Sequence, residues 1–295
     1  MLYNACITKL ERIKTMKKTV SLLLIAAILC AILCSCSGSS AKIKYISIKL
    51  TDEQYAFAVA KNNADLLATA NEVLAEIKQN GKLDELINKY FGDASADIKY
   101  YEAGAVDTSK KQLVVATNTP FSPFEYKEGN KYCGIDIEIA EMIAQKIDAE
   151  LVIMDMDFDA ILTAVETGKA DIAMAGLTYS EKRAEIVNFT DTYYNASQVI
   201  ICKEDDTTFD ECKTAQDVEA ILKSFGSDTV IGYQNGTTAG LYLKGDEDWG
   251  FDGFGVTATG YSSATVAVQA MLNGQIGFVV VDEGPAQFIV KAINK

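Results

Sequence analysis

Along most of this chain, short apolar runs alternate with stretches where apolar residues return every three or four positions, a pattern that predicts interleaved strands and helices. Between Lys42 and Leu50, Ile43, Tyr45 or Ile46, and Ile48 alternate with lysines, and Tyr55–Ala60 is a second short strand. Leu66, Leu67, Ala70, Val73, Leu74 and Ile77 share one helical face, and Asn80-Gly81 ends that helix. A shorter helix from Leu83 to Phe91 stops at Gly92, and Asp93–Lys110 is small, polar and acidic, a linker composition. Beyond it, strands are predicted at Leu113–Thr117, Leu151–Met154, Ala170–Ala175, Ile186–Phe189 and Gln198–Cys202, with helices at Ile135–Ile147 and Phe158–Thr167. A second set follows: helix Ala215–Ser224, strand Thr229–Tyr233, a helix from Thr238, helix Ser263–Leu272, strand Ile276–Val281 and helix Gly284–Ala292. Such alternation predicts α/β layers with mainly parallel sheets. Two sets joined by a short strand predict two lobes and a cleft, with ligand held beyond the carboxyl ends of the strands.

Composition narrows the function. The chain has 295 residues and a net charge of −14, with no histidine. A surface this acidic repels phosphate backbones, so nucleic acid is not expected as a partner. The missing histidine removes the commonest general base and metal ligand. No CxxC pair is present, so no metal site or cofactor is expected. Cys202 and Cys212 are near enough in sequence to bridge, although buried or incidental thiols fit equally simple chemistry.

The N-terminal region reads as a leader. Met16-Lys17-Lys18 is a basic start and Val20–Leu33 an apolar run with the length of a signal-peptide core, too short to cross a bilayer comfortably. Residues 1–15 lie upstream of this better start. Leu33-Cys34-Ser35-Cys36, followed by Ser37-Gly38-Ser39-Ser40, resembles the bacterial lipobox. Cys36 is then the lipidated residue and the serines begin a flexible tether. An ordinary secretory signal and an uncleaved membrane anchor are the alternatives.

Several motifs now fall into order. They are Val115-Ala116-Thr117-Asn118-Thr119-Pro120-Phe121-Ser122-Pro123-Phe124-Glu125, Gly134-Ile135-Asp136-Ile137-Glu138, Met156-Asp157-Phe158-Asp159-Ala160-Ile161, and Gly168–Thr178. Ser180-Glu181-Lys182-Arg183, Ile231–Thr238 and Gly274–Asp282 complete the set. In number, order and spacing they resemble the polar amino acid-binding proteins of ABC importers (solute-binding family three). The resemblance implies an α/β, two-lobed, periplasmic-binding-protein-like (type II) fold with two hinge strands, near Tyr55–Lys61 and Val199–Glu204. In that family a return strand and two helices follow the second lobe, whereas here the matching segments, Tyr55–Lys61 and the two helices to Gly92, come first. A circularly permuted order is therefore expected, with a fragment of a tandem protein as the alternative. The expected organisation is 1–36 signal peptide with lipobox, 37–54 tether and lobe 2 strand, 55–92 hinge strand and relocated helices, 93–110 linker, 111–200 lobe 1, and 201–295 hinge and lobe 2.

The resemblance also implies a site. A free amino acid is a zwitterion, and burying either charge without partners is costly. Arg183 offers a fork suited to a carboxylate, Thr178 and the amides near Thr237 and Thr238 add donors, and Asp282 with the carbonyl of Gly176 meets the ammonium. Phe121 and Phe158 correspond to the family's aromatic walls, and Asn118, Gln234 and Val281 face the ligand side chain. Those three are uncharged, so a neutral, polar or small amino acid is expected. Asp136 and Glu138 read as helix-dipole partners, and Glu125 and Glu283 as surface or structural residues. The implied function is capture of an amino acid outside the cytoplasm by a lipid-anchored monomer that serves an ABC permease, without catalysis. A ligand sensor for a signalling receptor and a dehydratase-like enzyme are the rival readings.

Overall fold

Glycine-bounded apolar runs and amphipathic stretches give the elements of the computed structural model, which describes residues 42–92 and 97–295. Cys36 and the leader lie outside the described residues. The chain begins with β1 (Ile43–Ile46), β2 (Glu53–Tyr55) and β3 (Ala58–Ala60), then helices α1 (Ala64–Gln79) and α2 (Lys82–Phe91). Next come β4 (Gln112–Thr117), the hairpin β5 (Tyr126–Glu128) and β6 (Lys131–Cys133), α3 (Ile135–Lys146) and β7 (Glu150–Asp155). A 3-10 turn at Phe158–Ala160 leads into α4 (Ile161–Glu166), followed by β8 (Ile172–Ala173), α5 (Glu181–Ala184), β9 (Val187–Phe189) and β10 (Tyr194–Ala196). The remainder is β11 (Gln198–Lys203), α6 (Ala215–Ser224), β12 (Val230–Gln234), α7 (Thr238–Lys244), β13 (Thr257–Tyr261), α8 (Ala264–Leu272), β14 (Phe278–Asp282) and α9 (Glu283–Ile293).

Two five-stranded sheets form two lobes. Lobe 1 has the order β7-β4-β8-β3-β9 and lobe 2 the order β1-β11-β14-β12-β13. In lobe 1, β4 runs parallel to β7 and β8, while β3 is antiparallel to β8 and β9. In lobe 2, β12 is parallel to β13 and β14, while β11 is antiparallel to β14 and to β1. The first strand thus belongs to lobe 2 and the third to lobe 1. Asn294, just past α9, holds Ile43 at both backbone groups: its side chain accepts from the Ile43 N–H (3.0 Å) and donates to the Ile43 carbonyl (2.7 Å).

The chain passes between lobes twice, from β1 to β3 and from β9 to β11. At the crossings β2 and β10 pair as a two-stranded antiparallel ribbon, with Tyr194 opposite Tyr55 and Ala196 opposite Glu53. This corrects the expected hinge. Val199–Glu204 lies almost wholly in the strand β11 of lobe 2, and the crossing is made one step earlier, at β10. Tyr55–Ala60 is also not one strand. The Ala56 N–H donates to the Leu177 carbonyl and the Phe57 N–H to the Thr190 hydroxyl, so the ladder changes partners between β2 and β3. The described part of the expected linker is not free either. Tyr101 bridges Tyr132 in both directions at 2.8 Å, and the Ala103 carbonyl accepts from Ile153 (2.7 Å), which docks this stretch on lobe 1.

Burial follows the predicted faces. Helix α1 sinks Leu66, Ala70, Val73, Leu74 and Ile77 into the lobe 1 core, while Leu67 stays at the margin. Asp136 and Glu138 stand in the first turn of α3, where the helix-dipole reading puts them, and both are buried. Asp136 accepts from the Gly176 N–H (3.0 Å) and the Tyr193 hydroxyl (2.6 Å), and Glu138 from the Tyr90 hydroxyl (2.6 Å) and Lys89. Cys133, Cys202 and Cys212 are free thiols.

Phe124 is the centre of the aromatic packing beneath the ribbon. Fully buried, it meets Tyr55 (5.1 Å), Tyr194 (4.9 Å), Phe91 and Phe121 (6.0 Å each) between ring centroids. Phe124→Ala is expected to destabilise the fold by about 3–5 kcal/mol, because the rigid ribbon cannot collapse into the void. Urea denaturation should show a lower midpoint with unchanged slope.

Candidate functional site

The cleft is assembled from loops at strand ends. Asn118 follows β4; its amide donates to the Met156 carbonyl (2.6 Å) and its oxygen accepts from Gln234 of lobe 2 (2.6 Å). Phe121 sits on a tight turn in which its amide donates to the Glu125 carbonyl (2.7 Å), and both residues line the cleft. Gly176 has φ +53°, and a Cβ there would lie 2.4 Å from the Phe121 ring, so only glycine fits. Ser180 caps the short α5 by accepting from the Arg183 N–H (3.1 Å), which starts the Arg183 side chain toward the cleft.

Arg183 is half-buried and spans the lobes. One guanidinium nitrogen donates to the Thr178 carbonyl (2.6 Å), the other to the Gly236 carbonyl of lobe 2 (2.9 Å), and the group lies 5.8 Å from the Phe158 ring centre. Gly236, with φ +76°, lets its turn abut Asp159, where an added Cβ would lie at 3.0 Å from the Asp159 Cβ. The Thr237 hydroxyl donates to the Gln234 carbonyl (2.7 Å), and Thr238 precedes the body of α7 with its hydroxyl buried and unpartnered. Asp282, at the end of β14, accepts from the Tyr55 hydroxyl (2.6 Å).

One cavity is lined by Asn118, Phe121, Phe158, Gly176, Thr178, Arg183, Gln234, Thr237, Thr238 and Asp282, every ligand-facing residue expected from the sequence except Val281, and by Glu125. The space between them is about 10 Å³, room for roughly one water. The lobes are drawn together on their own side chains. A larger groove of about 450 Å³ between α2, the 120–128 loop and α9 has no buried unpartnered side-chain polar atom in its lining. The chemistry therefore concentrates in the smaller cavity.

Several expectations need correction here. Thr178 does not point a free donor into the cleft, since its hydroxyl donates to Glu53 (2.8 Å). Val281 faces the lobe 2 core with Val279, because alternation along β14 turns it away from Asp282. Glu283 is half-buried outside the cavity, 3.5 Å from Lys49, in keeping with a surface or structural residue. Glu125 is not a surface residue: it is 0% exposed, faces the cavity, and neither carboxylate oxygen has a partner. Glu53 and Tyr55 are further polar groups that sequence reasoning missed. In Glu53-Gln54-Tyr55 the outer two are buried and Gln54 is exposed, but a polar-polar-aromatic triplet carries no apolar alternation that would mark Glu53 in the sequence.

Electrostatics follow from this burial. Desolvation pushes Asp282 up to about 7, helped by Glu53 and opposed by its hydrogen bonds from Tyr55 and Gln198. Burial likewise raises Asp136 to about 7, against the bonds from Gly176 and Tyr193. Glu125 is pushed well above the carboxylate range by burial and then by Asp136, Asp155 and Asp282. Burial pulls Arg183 down to about 10, with Glu53 and Asp282 opposing, so it stays charged at neutral pH.

Residues 113–288 match the model of the bacterial extracellular solute-binding proteins, family 3. The chain belongs to this family. Among relatives, this family 3 member is 37% identical over 99 residues to the arginine-binding extracellular protein ArtP of Bacillus subtilis, covering 34% of this chain and 39% of that protein. It is 28% identical over 180 residues to an arginine-binding periplasmic protein of Mannheimia haemolytica, covering 61% and 66%. The chain thus spans less than two thirds of the length of these curated relatives. An ancestral arginine-binding protein bound to arginine is 30% identical with a TM-score of 0.54, over 63% of this chain and 76% of that one.

The two raised aspartates fix a pH dependence. Folded carboxyls that keep their protons to about pH 7, against about 3.9 unfolded, add stability that is full below the unfolded value and lost as pH rises through the folded one. The unliganded melting temperature is expected to fall from pH 5 to pH 7.5, with a shallower fall in Asp136→Asn. Scanning calorimetry at several pH values checks this, and a flat or rising profile would contradict it.

Proposed function

We propose that this family 3 protein is an extracytoplasmic receptor that captures a free amino acid and delivers it to an ABC permease. The observation that carries this reading is the placement of Arg183 on one lobe and Asp282 on the other around a single cavity. A guanidinium matches the carboxylate of a zwitterion and a carboxylate its ammonium. Binding rather than turnover is the role named for the relatives described above. Lipidation at Cys36 would hold the receptor as a monomer at the membrane surface.

For the side chain we propose a cationic group in place of the neutral one expected from Asn118, Gln234 and Val281. Glu125 supports the change, since a buried carboxylate without a partner calls for a positive charge or a donor. The arginine-binding names of the relatives point the same way. We also infer that the order of elements is a circular permutation of the family's. Support comes from α1 and α2, which precede the matched region and pack on lobe 1, and from Asn294 lying against Ile43. One observation favours the dehydratase-like reading: Glu125 is a carboxyl group held in the cleft at raised pKa, as a general acid requires.

Isothermal titration against the twenty amino acids tests the proposal. Arginine or lysine is expected to bind at micromolar or better affinity, and Arg183→Ala to weaken it roughly 100-fold, the worth of a charge-assisted pair. Glu125→Gln should weaken cationic ligands and leave glutamine unchanged. A folded protein that binds no amino acid refutes the reading, and steady conversion of a bound hydroxy acid would favour the enzyme instead.

A further inference from the structure

The crossing strand β2 brings two buried polar groups to the cleft from outside its lining. Glu53 and Tyr55 lie on the same face of the ribbon, with Gln54 turned to solvent. One Glu53 oxygen accepts from the Thr51 hydroxyl (2.6 Å) and from the Gln198 amide of lobe 2 (2.9 Å); the other accepts from the Thr178 hydroxyl of lobe 1 (2.8 Å). Glu53 is 2% exposed and has no ion pair among the described residues. Three neutral donors therefore hold a carboxylate that lacks a counter-ion, beside the carboxylate of Asp282. The backbone reinforces the contact, since Tyr55 bridges Thr178 and the Tyr179 N–H donates to the Gln54 carbonyl (2.9 Å).

A hydroxyl has one proton to give. With that proton committed to Glu53, Thr178 presents only lone pairs to the cavity it lines. It cannot donate to a ligand carboxylate, but it can accept from an ammonium. Resting on the amino-acid reading above, we infer that Glu53 is a positioning residue for the ligand's α-ammonium group: it fixes Thr178 as an acceptor and, from the ribbon, aligns it with Asp282. Tyr55 does the corresponding job on the other side by orienting Asp282 through its 2.6 Å hydrogen bond. The ammonium end of the clamp is thus organised by the strand on which the lobes meet, whereas the carboxylate end is organised by Ser180 and α5.

Glu53→Gln tests this, because it keeps the shape and supplies an amide that donates to Thr178, so the threonine proton must turn into the cleft. Arginine and 5-guanidinopentanoate, which is arginine without its α-amino group, are the probes, and affinity is read by calorimetry. The expected result is a loss on the order of 10- to 100-fold for arginine, with about threefold or less for 5-guanidinopentanoate. Thr178→Val should give the same selective loss, and Glu53→Gln should add little on top of it, as coupled residues do. Equal losses for both probes, or additive losses in the double variant, overturn this inference while leaving the amino-acid reading in place. A wild type that binds neither probe nor any other amino acid overturns both.

Discussion

Burying a carboxyl group without a counter-ion is costly unless donors surround it or its proton stays in place, and the architecture here is organised around four of them. Glu53, Glu125, Asp136 and Asp282 are all buried near one cleft, and none makes an ion pair among the described residues. Asp136 is served by a backbone amide and a tyrosine, Glu53 by two hydroxyls and an amide, and Asp282 by Tyr55. Arg183 is the one cation in the cavity lining. The aromatic cluster around Phe124, the ribbon and the turn at Gly176 can be read as the framework that keeps water out and these donors in position.

The closed arrangement has a specific physical content. Arg183 reaches the Gly236 carbonyl and Gln234 reaches Asn118, so hydrogen bonds between the lobes occupy groups that the proposed site assigns to a ligand. A ligand must exchange these bonds for its own before it gains affinity, and only the difference biases opening against closure. A cavity with room for about one water implies that the lobes part before anything larger is admitted.

Much of this was legible in the sequence, for identifiable reasons. Strand and helix periods marked both lobes, and glycine, proline and phenylalanine clusters marked the loops that converge on the cavity. The hinge was displaced because an apolar run reports burial and not which sheet a strand joins; residues 199–202 are apolar because lobe 2 surrounds them. Glu125 reads as a surface or structural residue because a charged residue after a proline turn ordinarily faces water, and only the tight Phe121–Glu125 turn folds it inward. Val281 was misplaced by one step of alternation, the smallest error a strand permits and one that reverses the direction of the side chain. Glu53 belongs to a three-residue strand, too short for any period to declare itself.

That brevity has a consequence for how the molecule can vary. In the ribbon, the pairing of β2 with β10 decides which residues turn inward: Glu53 and Tyr55 rather than Gln54. A one-residue slip of β2 against β10 would therefore turn Gln54 inward and Glu53 and Tyr55 out to solvent. Drift of length is easily absorbed in surface loops. In this ribbon, length is itself a coding element: its frame decides whether Glu53 and Tyr55 lie beneath the cleft, as a reading frame specifies a message.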